Sequence, residues 1–108
     1  MKSRKLSSKP LVLSILADGE SYGYEIIQQV RELSGGQIEW SDGMLYPVLR
    51  RMEHRGLIKS RWEEGDTGKR RRYYRITPAG RRLLQEERQQ WTVVNATLGR
   101  LWNALPST

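Results

Sequence analysis

Two stretches of this chain hold side chains able to do chemistry, and that chemistry is the gripping of an anion. In WSDGMLYPVLRRMEHRG, from Trp40 to Gly56, the residues Gly43, Tyr46, Pro47, Arg50, Arg51 and His54 share one side at helical spacing. In KRRRYYRI, from Lys69 to Ile76, five of the first seven residues are basic. A short helix with a basic, aromatic front fits a major groove. A row of guanidinium and ammonium groups fits a phosphate backbone. Each stretch also has a plain alternative. Basic helix faces are common, with arginines that are simply solvated, and charge on an outer strand also blocks edge-to-edge aggregation. The two clusters lie close together in the chain, which favours the binding reading for both.

Composition narrows the classes further. A net charge of +7 over 108 residues points to nucleic acid or an anionic surface. There is no cysteine, which removes disulfides and thiolate metal sites and fits a reducing cytosol. The single histidine, His54, leaves no partner for a histidine-based metal cluster. The sequence offers no nucleophile–base arrangement and no glycine-rich phosphate loop followed by a lysine in the right setting. An enzyme is therefore set aside, and no cofactor is expected. No apolar run approaches the length of a bilayer span, and the start MKSRKLSSKP lacks the hydrophobic segment of a signal peptide, so a cytoplasmic protein is expected. The basic face lacks the large apolar residues of an interfacial membrane helix.

The elements that must position these clusters can be read in order. One domain with an appended helix suits the length. Residues 1–9 hold Lys2, Arg4, Lys5 and Lys9 with no acid, either a mobile basic arm that touches phosphates or a solvated tail. A first helix is predicted from about Pro10 to Ala17, with Pro10 in the first turn, Leu11, Val12, Ile15 and Leu16 buried, and Asp18-Gly19 as the stop. A second helix follows Ser21 as cap, with Ile26, Ile27, Val30 and Leu33 facing the core and Gly35-Gly36 ending it. Gln37 to Trp40 reads as an extended link with room for a strand of two or three residues. The third helix takes Ser41 and Asp42 as its N-terminal signal and Gly56 as its left-handed stop, with Leu45, Val48, Leu49 and Met52 as its apolar back. Leu57 to Glu64 alternates, Ile58 and Trp62 against Lys59, Arg61 and Glu63, and Gly65-Asp66-Thr67-Gly68 turns it into the basic strand. The fold expected is mainly α with a small β-hairpin, α+β: a winged helix-turn-helix over residues 1–76.

Residues 77–108 are expected to form a dimerisation helix. Thr77 is its cap, Pro78 its first residue, and about Leu105 its end. Leu84, Trp91, Leu98 and Leu105 recur at one heptad position, Val94 and Leu101 at the other, with Trp102 beside them. A seam this long outruns so small a core, so it is expected to pack on its copy in a homodimer. The alternative is that it folds back on its own domain. Asn95-Ala96-Thr97 is a chance sequon match in a cytosolic chain.

The chain resembles the PadR family of bacterial transcription regulators along nearly its whole length. The resemblance rests on YGYEI at 22–26, DGMLYPVLRRMEHRGLI at 42–58 and GKRRRYYRITPAG at 68–80, in that order and spacing. The short C-terminal part is similar to the compact branch, which has one dimerisation helix. The resemblance implies a homodimer that binds a pseudo-palindromic operator in double-stranded DNA and usually represses. It places Ser41, Gly43, Met44, Tyr46, Pro47 and Arg50 on DNA from the third helix, Tyr22 on a phosphate, and Lys69, Arg70 and Arg71 on the backbone from the wing. It gives Arg51 and Glu53 a structural role, for instance an ion pair at the helix end. Trp91 falls where multidrug-binding members place a tryptophan that sandwiches flat, often cationic, aromatic ligands; a Trp packed in the interface is the alternative. Asn95 stands near it where an acid would better attract a cation, so a neutral apolar effector fits as well.

Two functions from different classes are thus in play. A sequence-specific DNA-binding repressor predicts steep salt dependence of duplex binding. A winged-helix protein–protein interaction module without specific DNA binding predicts little.

Overall fold

The computed structural model describes residues 3–104, with side chains from residue 8 onward. Its elements are α1 (Ser3–Ala17), β1 (Ser21–Tyr22), α2 (Gly23–Leu33), α3 (Asp42–His54), β2 (Ile58–Glu64), β3 (Arg70–Ile76) and α4 (Pro78–Ala104). The three strands form one antiparallel sheet in the order β1-β3-β2. This is the α+β winged helix-turn-helix that the sequence predicts.

The core is assembled by the apolar sides of four helices. Val12, Leu13 and Leu16 of α1, Ile26 of α2, Leu45 and Leu49 of α3, and Ile58 of β2 are almost fully enclosed. Tyr74, Ile76 and Leu84 close the side formed by the sheet and α4. Trp40 is buried too, and its indole Nε1 has no hydrogen-bond partner among the described residues.

Several expectations are corrected. α1 begins at Ser3, so Pro10 lies inside it and residues 3–9 are not a loose arm. A proline in a helix withdraws one N–H and one carbonyl from the ladder. The turn before it is held by other means: Ser8 is buried, and Lys9 Nζ lies 4.0 Å from Glu87 Oε1 on α4. The side chains of Lys2, Arg4 and Lys5 fall outside the described set. Ser21 does not cap α2. It lies in β1 paired with Tyr74, and its hydroxyl donates to the Glu25 carboxylate at 2.8 Å; the capping position is Tyr22, with no side-chain bond. The extra strand is therefore β1, before α2, and the link at 37–40 is not a strand. Leu33 is 81% exposed. It shares the angular position of Ile26 but stands about 10 Å further along the axis, at seven residues of 1.5 Å each, beyond the edge of the core.

The predicted stops hold. Gly35, Gly36 and Gly56 all have positive φ, and the Gly56 N–H donates to the Glu53 carbonyl. The junction between β3 and α4 is knotted to the end of α3. Thr77 Oγ1 donates to the Gly56 carbonyl (2.6 Å) and accepts from the Gly80 N–H (3.1 Å), while the Thr77 N–H donates to the Leu57 carbonyl (3.0 Å). A Cβ at Gly80 would run into that Leu57 oxygen and the Ile76 side chain. The segment TPAG is thus fitted against RGLI by close backbone approach.

α4 has 27 residues, about 40 Å at 1.5 Å per residue, and only Gly80 and Leu84 on it are buried. Leu84, expected on the seam between two chains, is 8% exposed and belongs to the core of its own chain. The start of α4 folds back on its own domain beside α1, and the heptad pattern leaves that domain only after this turn. Leu105 lies outside the described residues.

Candidate nucleic-acid interface

The N-terminus of α3 is set by Ser41, whose Oγ accepts the Met44 N–H at 3.2 Å. From this fixed start, Leu45, Val48, Leu49 and Met52 turn inward, and Gly43, Pro47, Arg50 and Arg51 turn to solvent. Met44 lies between, packed partly on the core. Pro47 offers no N–H to the Gly43 carbonyl, so that acceptor on the exposed side stays outside the helical ladder. Tyr46 reaches across to the start of α2, and a Cβ on Gly23 would lie 2.6 Å from its hydroxyl oxygen. Gly23 is therefore what lets α2 and α3 approach this closely.

The wing is ordered by its pleat. Trp62, Arg70, Arg72 and Tyr74 share one face with Ser60 and Ile58, while Arg61, Arg71 and Tyr73 share the other. On the first face the guanidinium carbons of Arg70 and Arg72 lie 4.9 and 5.6 Å from the Trp62 ring centre. On the second, Arg71 lies 4.5 Å over Tyr22, Arg61 lies 5.2 Å over Tyr73, and the two tyrosine rings meet edge to face at 5.3 Å. Cation–π contact fixes these arginines in direction. Arg61 and Arg72 spend their donors on neighbouring side chains, whereas Arg70 and Arg71 have no ion pair among the described residues. Tyr22 is thus the platform on which Arg71 rests.

Three carboxylates brace the hairpin. Arg61 donates twice to Glu20, at 2.7 and 3.2 Å, and once to Glu63 at 2.8 Å. The bonds from Arg61 to Glu20 hold the Glu20 carboxyl below its ordinary range, and the bonds to Glu20 and Glu63 raise Arg61 in turn. On the inner face Glu53 pairs with Arg72 at 3.2 Å. The expected structural role of Glu53 is met with a different partner: Arg51 is exposed and has no ion pair among the described residues. The Tyr74 hydroxyl is pushed up by burial, with Arg72 opposing.

A groove of about 550 Å³ runs between α3, the wing and the start of α2. The structure brings Tyr22, Tyr46, Arg50, Lys69, Arg70 and Arg71 to its walls, together with Trp62, Arg72 and Tyr74. Ser41, Gly43, Met44 and Pro47 lie beyond it along the same helix. Sequence reading misses Trp62, Arg72 and Glu53 as groove residues. The parity of β2 and β3 is the signal that puts Trp62 and Arg72 on the helix side. Such a groove can hold phosphates by charge and stack flat groups on rings.

A second, smaller recess of about 270 Å³ lies between α1 and α4 and brings Trp91 and Asn95 together with Pro10, Leu84 and Glu87. The acid that Asn95 does not supply stands two turns earlier on the same helix face, at Glu87. Beyond it Val94, Leu101 and Trp102 are exposed and Leu98 is half-buried. No group of three or more metal-ligating side chains occurs among the described residues, and no described helix is long and apolar enough to cross a membrane.

The chain matches the model of the transcriptional regulator PadR-like family over residues 12–86. It is 44% identical over 78 residues to the transcriptional regulator Rv3488 of Mycobacterium tuberculosis, covering 72% of this chain and 69% of that one. It is 36% identical over 80 residues to the transcriptional regulator YqjI of Escherichia coli, covering 74% of this chain and only 37% of that protein. Among solved structures, the PadR-like transcriptional regulator BC4206 of Bacillus cereus superposes with a TM-score of 0.84 at 30% identity, covering 97% of this chain and all of that one. These relatives are transcriptional regulators, not enzymes.

Proposed function

The chain belongs to the PadR-like family of transcriptional regulators, and on that footing we propose that it is a cytoplasmic homodimer that represses by gripping a pseudo-palindromic operator. The observation that carries this reading is the groove. Arg50 and Tyr46 from α3, Tyr22 ahead of α2, and Lys69, Arg70 and Arg71 from the wing converge on one positive, ring-lined cleft. In this reading α3 enters the major groove with Arg50 toward base edges, and Ser41, Gly43, Met44 and Pro47 follow the backbone at its start. The wing meets phosphates, which position the protein without reading sequence.

Residues 1–76 then form the DNA-binding part and residues 77–108 the dimerisation helix, with the start of α4 shared between them. The exposed Trp91, Val94, Leu101 and Trp102, with Leu98 among them, supply the interface, as in the compact branch of the family. A contiguous apolar strip of this kind on a small monomer is the mark of a binding surface. The recess at Trp91 and Asn95 is where a flat ligand would relieve repression. Glu87 beside it gives a cationic aromatic compound a counter-charge.

Binding to duplex fragments from upstream of its own gene, across a salt series with random duplex as competitor, tests the reading. One preferred site of two related half-sites is expected. Replacing Arg70 and Arg71 together by alanine should weaken binding to all sequences and flatten the logarithmic salt slope by about four, two contacts being lost from each subunit. Weak binding, equal for every sequence, sinks the repressor and turns attention to a protein partner.

A further inference from the structure

Arg72 stands in the middle of the basic run, yet its guanidinium is turned inward. Its Nη2 donates to Glu53 Oε1 at 3.2 Å, and its Nε donates to Ser60 Oγ at 2.9 Å. Ser60 Oγ donates in turn to Glu53 Oε2 at 2.6 Å. The three groups close a triangle whose corners come from three elements, α3, β2 and β3. The rings of Trp62 and Tyr74, 5.6 and 5.9 Å from the guanidinium carbon, flank the same arginine.

The triangle sits where the hairpin needs a brace. β1 pairs only with Tyr73 and Tyr74, so from Arg72 to the turn the two long strands have each other alone as backbone partners. On the inner face the Glu53 pair is, among the described residues, the ionic tie between this outer half and α3. Glu53 is also out of keeping with its place. A carboxylate on the wall of a cleft meant for phosphates repels them, and unless it does something else its removal should tighten binding.

We propose that Glu53, Ser60 and Arg72 are positioning residues for DNA binding: they hold the wing at a set angle to α3, and Arg72 is not a phosphate ligand. A hairpin already held at the bound angle loses less freedom on binding, which keeps affinity that a swinging wing forfeits. The inference rests on the reading that α3 and the wing grip duplex DNA.

The test compares Glu53→Gln, Ser60→Ala, Arg72→Gln and the Glu53→Gln/Arg72→Gln pair on the operator across a salt series, with circular dichroism melts as the check on folding. Wild-type binding comes first. If the wild type shows no salt-dependent duplex binding, the parent reading fails and takes this inference with it. Given wild-type binding, Glu53→Gln and Arg72→Gln should each weaken it about fivefold, since both partners are partly solvated. The pair should be no weaker than either alone, because one tie is cut twice. The salt slope of Arg72→Gln should equal that of the wild type. Glu53→Gln binding as tightly as wild type, or tighter, overturns the proposal. So does a salt slope reduced by about two in Arg72→Gln, one unit per subunit, which marks a phosphate contact. Should either charged variant fail to fold, Ser60→Ala decides alone. It removes one hydroxyl and no charge, and should weaken binding about threefold; unchanged affinity overturns the brace.

Discussion

Thr77 and Trp102 stand near the two ends of one helix in opposite surroundings. Around Thr77 the chain answers its own polar groups: the hydroxyl both gives and accepts a bond, and the neighbouring backbone is matched to Leu57. The wing nearby does the same with charge, placing Arg61 on Glu20 and Glu63, and Arg72 on Glu53. Around Trp102 the described residues provide no such closure. Trp91, Val94 and Leu101 are open as well, and the hydroxyls of Thr92 and Thr97 turn back to carbonyls of their own helix. The contrast separates what one chain completes by itself from what it leaves for contact with something else. Stability should therefore be concentrated at the junction, and association along the far half of α4.

Gly80 and Gly99, on the same helix, put that contrast to its hardest test. Gly80→Ala forces a methyl into the Leu57 carbonyl and should cost about 3 kcal/mol in denaturant unfolding, because backbone must move to admit it. Gly99→Ala meets nothing within 4 Å and should raise helix stability by up to ~1 kcal/mol. Equal effects at the two sites would erase the distinction. The next largest effect is on association. Leu101→Asp should leave monomer unfolding nearly unchanged, since Leu101 is exposed in the single chain. It should raise the dimer dissociation constant roughly 30-fold or more, as loss of a central apolar anchor does. Sedimentation that still shows dimers at low concentration would place the interface elsewhere.

The smallest effect is a dependence on pH. The Glu20 carboxyl is held below its ordinary value of 4.5 by Arg61. A carboxyl depressed in the folded state adds stability at pH values above its unfolded range, and that contribution fades as pH falls through the folded value. Glu20→Gln should thus be slightly less stable than wild type near neutral pH, with the two unfolding curves converging in acid. Both side chains of the pair face water, so the separation is small. Parallel curves at all pH values would show that this outer brace carries no charge-dependent stability.

What the residues disclose beforehand follows how local each signal is. α3 is legible because a cap, an apolar period and a positive-φ glycine all lie within one stretch of chain. The hairpin is legible from alternation and a glycine-bounded turn. β1 is not, since two residues carry no period, and Ser21 offers a capping side chain that is in fact spent on Glu25. The true start of α1 is masked by Pro10, which imitates a first turn. The site is legible in its cations and illegible in its pairing. Glu53 has Arg51 two residues away in the chain and Arg72 nineteen away, and only the fold chooses the second. Leu84 likewise obeys the heptad, and nothing local says that the core claims it before a neighbour can.

The bonds that Thr77 makes to Gly56 and Leu57 have a mechanical consequence. They tie the root of α4 to the tail of α3, so the two helices have the form of a crank. α4 is the long arm and the helix bearing Arg50 is the short one. In the homodimer proposed above, the angle at which the long arms cross would set the separation and pitch of the short ones. A slight rotation at the far end of α4 would then be carried through the Thr77 bonds toward Arg50.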